Sequence, residues 1–112
     1  MDGERQIGQA IELREVDELA AFLKAVANPA RLRILALLCE GDQQVSELES
    51  RLDLGQAYVS QQLARLRSAG LVTGDRHGRE VRYRLLDPRT QPLVEFIGQW
   101  QNTQSNNGAS RR

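Results

Sequence analysis

Residues 45–70 constrain this chain more than any other stretch. Two short amphipathic segments flank Leu54–Gly55. In the first, Leu48 and Leu52 lie four apart; in the second, Val59, Leu63 and Leu66 recur at i, i+4 and i+7. The spacing predicts helices over about Ser46–Leu52 and Gln56–Ala69 joined by a tight turn, with Gly70 as a left-handed stop. Two strands are predicted at once afterwards, Leu71–Asp75 and Glu80–Leu86. Val81, Tyr83 and Leu85 alternate there with Arg82 and Arg84, the period of a half-buried strand. Arg76–His77–Gly78–Arg79 forms the tip. Helices this short hold their shape only by packing an apolar stripe on something else, so the rest of the chain must supply that surface.

It has the residues to do so. Leu13, Val16, Leu19, Ala20, Leu23 and Val26 recur at helical spacing from about Glu12 to Ala27. Asn28–Pro29 then sets a boundary: proline disfavours a helical conformation before it, while Asn is a good N-cap and Pro suits the first helical position. A second helix is expected from Pro29 to Cys39, with Leu32, Ile34, Leu35 and Leu38 facing the core. Near the end, Pro88 or Pro92 opens a last helix whose Leu93, Phe96, Ile97 and Trp100 form a stripe. Residues 1–11 are expected to be a flexible N-terminus, 12–101 one domain, and 102–112, rich in Asn, Gln, Ser, Gly and Arg, a disordered tail.

No apolar run approaches the roughly 20 residues that span a bilayer, and the start of the chain lacks a signal peptide's layout, so a cytoplasmic location and no membrane partner are expected. The one cysteine, Cys39, excludes an intramolecular disulfide and a cysteine zinc cluster within one chain. No cofactor or metal is expected. The sequence shows no Gly-rich phosphate loop and no His–Ser or Cys–His pairing, which argues against an enzyme.

The formal net charge of zero conceals a division. Residues 1–50 carry five basic side chains against ten acidic ones, whereas residues 51–89 carry eight arginines against four acids. The positive charge therefore gathers on the helix pair and the hairpin. At about 100° per residue, Gln61 and Arg65 fall opposite the Val59–Leu63–Leu66 stripe. Glutamine can pair twice with adenine and arginine with guanine. A mainly α fold with a small β-hairpin, in the order α-α-α-α-β-β-α, is the layout of a winged helix-turn-helix, in which one helix enters the DNA major groove.

The expected DNA contacts follow from that layout. Gln56, Gln61, Gln62 and Arg65 are candidates for bases, with Gln62 nearer the core flank; Tyr58 and Ser60 are candidates for phosphates. Ser46 sits where the first turn of its helix could hold a phosphate. Arg76, His77 and Arg79 would grip the minor groove or its phosphates. The plainer reading of each is a solvated helix face or a charged loop.

The ordered motifs resemble the ArsR/SmtB family of small bacterial winged-helix repressors. They are Asn28–Pro29–Ala30–Arg31–Leu32–Arg33–Ile34–Leu35, Val45–Ser46–Glu47–Leu48, Val59–Ser60–Gln61–Gln62–Leu63–Ala64–Arg65–Leu66, Ala69–Gly70–Leu71–Val72 and Gly78–Arg79–Glu80–Val81–Arg82–Tyr83–Arg84–Leu85. The resemblance implies a homodimer built on the first and last helices, binding to a double-stranded operator, and release by an inducer. The inducer sites do not carry over. The family's Cys-Val-Cys metalloid motif aligns with Gln44–Val45–Ser46, and the last helix, with Asp87 and Glu95, has no histidine. Where other members sense oxidants or reactive sulfur with two cysteines, this chain has Cys39 alone, about a turn late. Cys39 is thus the candidate for a redox inducer, against the reading of a small buried hydrophobe beside acidic Glu40 and Asp42. The expectation is a sequence-specific, homodimeric transcriptional repressor. A constitutive regulator without an inducer and a winged-helix protein–protein module are the alternatives.

Overall fold

A computed structural model describes residues 11–110, with side chains through 104. The expected flexible N-terminus lies outside the described residues except for Ile11. A 3-10 turn at Leu13–Glu15 leads into α1 (Val16–Val26), followed by α2 (Pro29–Leu38), β1 (Gln43–Gln44), α3 (Val45–Leu52), α4 (Gln56–Ser68), β2 (Val72–His77), β3 (Glu80–Leu85) and α5 (Thr90–Ser110).

Local chemistry explains the boundaries. Asn28 caps α2, its Oδ1 accepting from the Arg31 amide at 3.0 Å, and Pro29 occupies the first turn. α3 ends on Asp53, the one non-glycine residue with positive φ (56°) among those described. The left-handed position of the turn is therefore Asp53, which tolerates it through its short polar side chain, while Gly55 is extended and precedes α4. Gly70 (φ 77°) stops α4 as expected.

The core is built around α2. Ile34, Leu35 and Leu38 pack with Val26, Leu48, Val59, Leu63, Leu66, Leu71 and Val72, all buried. Leu32, expected on this face, is only half-buried; Ala30 is buried instead.

The sheet has three strands in the order β1-β3-β2, one more than the hairpin foreseen. β1 is two glutamines paired to Tyr83 and Arg82, and such polar residues carry no strand signal of their own. Gln43 is nonetheless buried, its amide donating to the Leu37 carbonyl at 3.3 Å. β2 extends to His77, which faces Glu80, so only Gly78 and Arg79 remain unpaired at the tip. Gly78 takes the left-handed conformation there (φ 67°). Gly74 lacks a side chain for a different reason, crowding: a Cβ would come within 2.9 Å of Val81 Cγ1 and 3.0 Å of Tyr83 Cε2.

The outer helices differ from the sequence reading. Of the α1 stripe only Val26 is buried; Leu13 is 83% and Leu23 44% exposed. On α5, Leu93 and Ile97 are half-buried, but Phe96 is 65% and Trp100 59% exposed. Among the described residues nothing covers Leu13, Leu23, Phe96 or Trp100. α5 starts at Thr90, between the two prolines considered. Asp87 sets its entry, accepting from the Arg89 backbone amide (2.9 Å) and pairing with the Arg89 guanidinium (2.6 Å), which lies over the Phe22 ring of α1 at 4.5 Å. The helix continues to Ser110, through most of the segment read from composition as a disordered tail.

Candidate nucleic-acid interface

α4 turns one face inward and another outward. Val59, Leu63 and Leu66 are buried against α2 and α3. Gln56, Ala57, Tyr58, Ser60, Gln61, Ala64, Arg65 and Ser68 are exposed, so the structure brings Gln56, Tyr58, Ser60, Gln61 and Arg65 to the surface of one helix. Gln62 does not join them. It is 5% exposed, and its Oε1 accepts from Arg31 Nη1 at 3.0 Å, so its amide is committed to the interior. In this structure Gln62 therefore departs from the outward face on which it was expected, and its side-chain oxygen serves the protein's own interior.

The helix before it is closed at its N-terminus. The Glu47 carboxylate accepts from the Gln44 amide at 2.7 Å, a capping arrangement. Ser46 is exposed, with its Oγ 3.4 Å from Gln44 Oε1. A phosphate at Ser46 would meet the Glu47 charge, so the anion-binding role expected for Ser46 is opposed by its neighbour. The sequence held the clue: Gln44 and Glu47 have capping-box spacing. The start of α4 is different, with no acid in its first turn and no side-chain cap on Gly55.

The wing divides its arginines into two sets. Arg82 donates to the Asp42 carbonyl at 2.8 Å and lies 3.8 Å from Glu47; Arg84 pairs with Asp75 at 2.7 Å. Gln44 adds a bond to Glu80 at 2.7 Å, so this polar strap ties β3 to the start of α3. Arg76, His77 and Arg79 are exposed at the outer end, and among the described residues Arg65, Arg76 and Arg79 make no ion pair. The Asp75 and Glu40 carboxylates raise the pKa of Arg84 and Arg51 above the ordinary guanidinium value through hydrogen bonds and charge. Those side chains serve the protein's own surface.

Cys39 caps the end of α2 and is half-buried. Burial, then the charges of Glu95 and Glu40, push its thiol pKa up, so it is held protonated at neutral pH. Among the described residues no group of three or more His, Cys, Asp and Glu side chains is placed to hold a metal ion, and no helix is long and apolar enough to cross a membrane.

The family profile described as "Bacterial regulatory protein, arsR family" matches residues 28–73. A biofilm growth-associated repressor of Agrobacterium fabrum is 40% identical over 84 residues, covering 75% of this chain and 72% of the relative. The chain belongs to the ArsR family. Its members are DNA-binding transcriptional regulators rather than enzymes, and this chain is one of them, on a winged helix-turn-helix fold. HlyU of Vibrio cholerae, named a transcriptional activator, is 37% identical over 94 residues, covering 80% of this chain and 87% of the relative. Its solved structure superposes with a TM-score of 0.74 at 36% identity, over 77% of this chain and 94% of that one. The homodimeric winged helix-turn-helix domain of Mb0332 from Mycobacterium bovis, described as a possible ArsR-family regulator, gives a TM-score of 0.74 at 26% identity, over 92% of this chain and 90% of that one.

Proposed function

We propose that the chain acts as a homodimer which reads a roughly palindromic operator with two copies of α4. Gln61 and Arg65 contact base edges, Gln56 reaches the first base or its phosphate, and Tyr58 and Ser60 take phosphates that set register. Arg76, His77 and Arg79 follow the backbone or minor groove on either side. The observation that carries this reading is the exposure of Gln61 and Arg65 on α4 together with a wing tip whose Arg76 and Arg79 are exposed and, among the described residues, not spent on internal ion pairs. Leu23, Phe96 and Trp100 support pairing through α1 and α5, since a second copy would remove them from water. Repression is the simplest output, because it needs only that the dimer occupy DNA that polymerase must use. Release by an inducer fits the family, but Cys39 is a poor entry point for it: its thiol is half-buried, protonated, and the only one in the chain.

The test is selection of bound duplexes from a random pool, run with reduced and with oxidised protein. A two-fold related site should emerge, with half-site centres about 34–36 Å apart. Recovery of duplexes without a common sequence would refute base reading by α4. Salt-insensitive or absent binding would favour a protein–protein module.

A further inference from the structure

We infer that Arg31 is a positioning residue for DNA reading, acting through Gln62 to fix how α4 is turned relative to α1. The inference rests on the reading of α4 given above and assigns a role to a residue that the reading leaves out.

The Arg31 side chain lies where three helices converge. Its Nε donates to the Ala25 carbonyl at 2.7 Å and its Nη1 to Gln62 Oε1 at 3.0 Å, while its own backbone amide is capped by Asn28. Each bond answers a need. The Ala25 carbonyl would ordinarily accept from the amide four residues on, but that residue is Pro29, which has none. The next candidate, the Asn28 amide, bonds Val26 instead. Gln62 is a nearly buried amide that would be costly to leave unpartnered. One planar guanidinium meets both demands because its donors point in fixed, divergent directions; an ammonium has no such fork.

The consequence lies one residue away. Gln61 precedes Gln62 on α4 and Arg65 follows it by three, so holding Gln62 inward sets the direction of both. A reading constellation must be held within roughly 0.5 Å and 10–20° to work. The geometry beside the clamp is open: Lys24, Ala25 and Arg31 face Gln61, Ala64, Arg65 and Ser68 across a groove of about 500 Å³. Apolar packing of Val59, Leu63 and Leu66 with Val26 holds α4 from below; beside the groove Arg31 adds a directional polar bridge, from the Ala25 carbonyl at the end of α1 to Gln62 on α4.

Four variants of the full chain test this: Arg31→Met, Arg31→Lys, Gln62→Leu and the double Arg31→Met/Gln62→Leu. Affinity is measured for the selected operator and for a mixed-sequence duplex across a salt series, alongside thermal unfolding. Arg31→Met should lose at least tenfold in operator affinity, with mixed-sequence affinity and salt slope held within twofold. Arg31→Lys, which keeps the charge but not the fork, should lose operator affinity as well. The double variant removes both partners together, so it should regain thermal stability over the single ones without regaining operator affinity. A slope reduced by about 0.9, with both duplexes weakened alike, would make Arg31 a phosphate contact and overturn the proposal. Operator affinity that tracks the unfolding midpoint, recovering in the double variant, would reduce it to packing; unchanged operator affinity would end it. A wild-type chain that selects no operator would overturn the α4 reading itself, and the Arg31 role with it.

Discussion

The exposed residues of α4 and the wing and those of α1 and α5 leave opposite things uncovered. α4 and the wing expose Gln61, Arg65, Arg76 and Arg79, groups that water solvates well. α1 and α5 expose Leu23, Phe96 and Trp100, groups that water does not. Burying a large apolar side chain is worth roughly 1.5–3 kcal/mol, so the second surface carries a standing cost in the single chain. The first carries almost none, and gains only when phosphates and base edges displace counterions and water. Under the proposed function the difference separates two tasks: the apolar groups would drive association through area, and the polar ones would discriminate through placement.

The sharpest way to break the comparison is to charge the apolar side. Phe96→Glu with Trp100→Glu should leave a monomer by sedimentation. Operator affinity should fall by about 10²–10⁴-fold, the scale of avidity lost when two linked sites become independent. A doubly substituted chain that still sediments as a dimer would mean these residues are not the seam. The next effect is on the polar side. Gln61→Ala and Arg65→Ala should each cost about 1–3 kcal/mol at the selected operator, measured by fluorescence anisotropy, while sedimentation stays that of the wild type. Equal losses on operator and random duplex would demote them to phosphate contacts.

The wing offers a finer cut because its arginines are not equivalent. Arg76→Ala and Arg79→Ala should each lower the slope of log affinity against log salt by about 0.9. Arg84→Ala should leave that slope unchanged. Arg84 is paired with Asp75 at 2.7 Å, so its charge is already answered within the protein. If all three substitutions lowered the slope alike, the distinction between spent and unspent arginines would fail.

Periodicity carried the helix pair and hairpin because each of these elements has a buried face in the single chain. Val59, Leu63 and Leu66 were legible for that reason, and by subtraction so was the exposure of Gln61 and Arg65. Gln62 was not. Its type suits either a base or a buried amide, and what decides is Arg31, thirty-one residues earlier in the chain. For Ser46 the setting matters in the same way, since its exposed helix start is capped by a carboxylate three residues after the cap, a neighbour that opposes an anion there. β1 was illegible because its pairing is imposed by β3 rather than by its two glutamines. The stripes on α1 and α5 were read correctly as apolar, but periodicity cannot say whether the covering surface lies in the same chain.

The smallest expected effect concerns Cys39, which belongs to neither surface. It sits at the end of α2, where burial, Glu95 of α5 and Glu40 all raise its thiol pKa. Because the folded value is raised, this group's contribution to stability is full below the unfolded thiol pKa and falls away as pH climbs through the folded one. Near neutral pH the thiol is protonated in both states, and alkylation by iodoacetamide should be slow and accelerate as the solution becomes alkaline. Cys39→Ser should therefore change operator affinity by less than about twofold, with reduced and peroxide-treated wild type binding alike. The contrary result would be specific. If peroxide or a persulfide released the wild type from its operator and Cys39→Ser were immune, the signal would enter between α2 and α5. The pairing side would then govern the reading side through chemistry as well as through area.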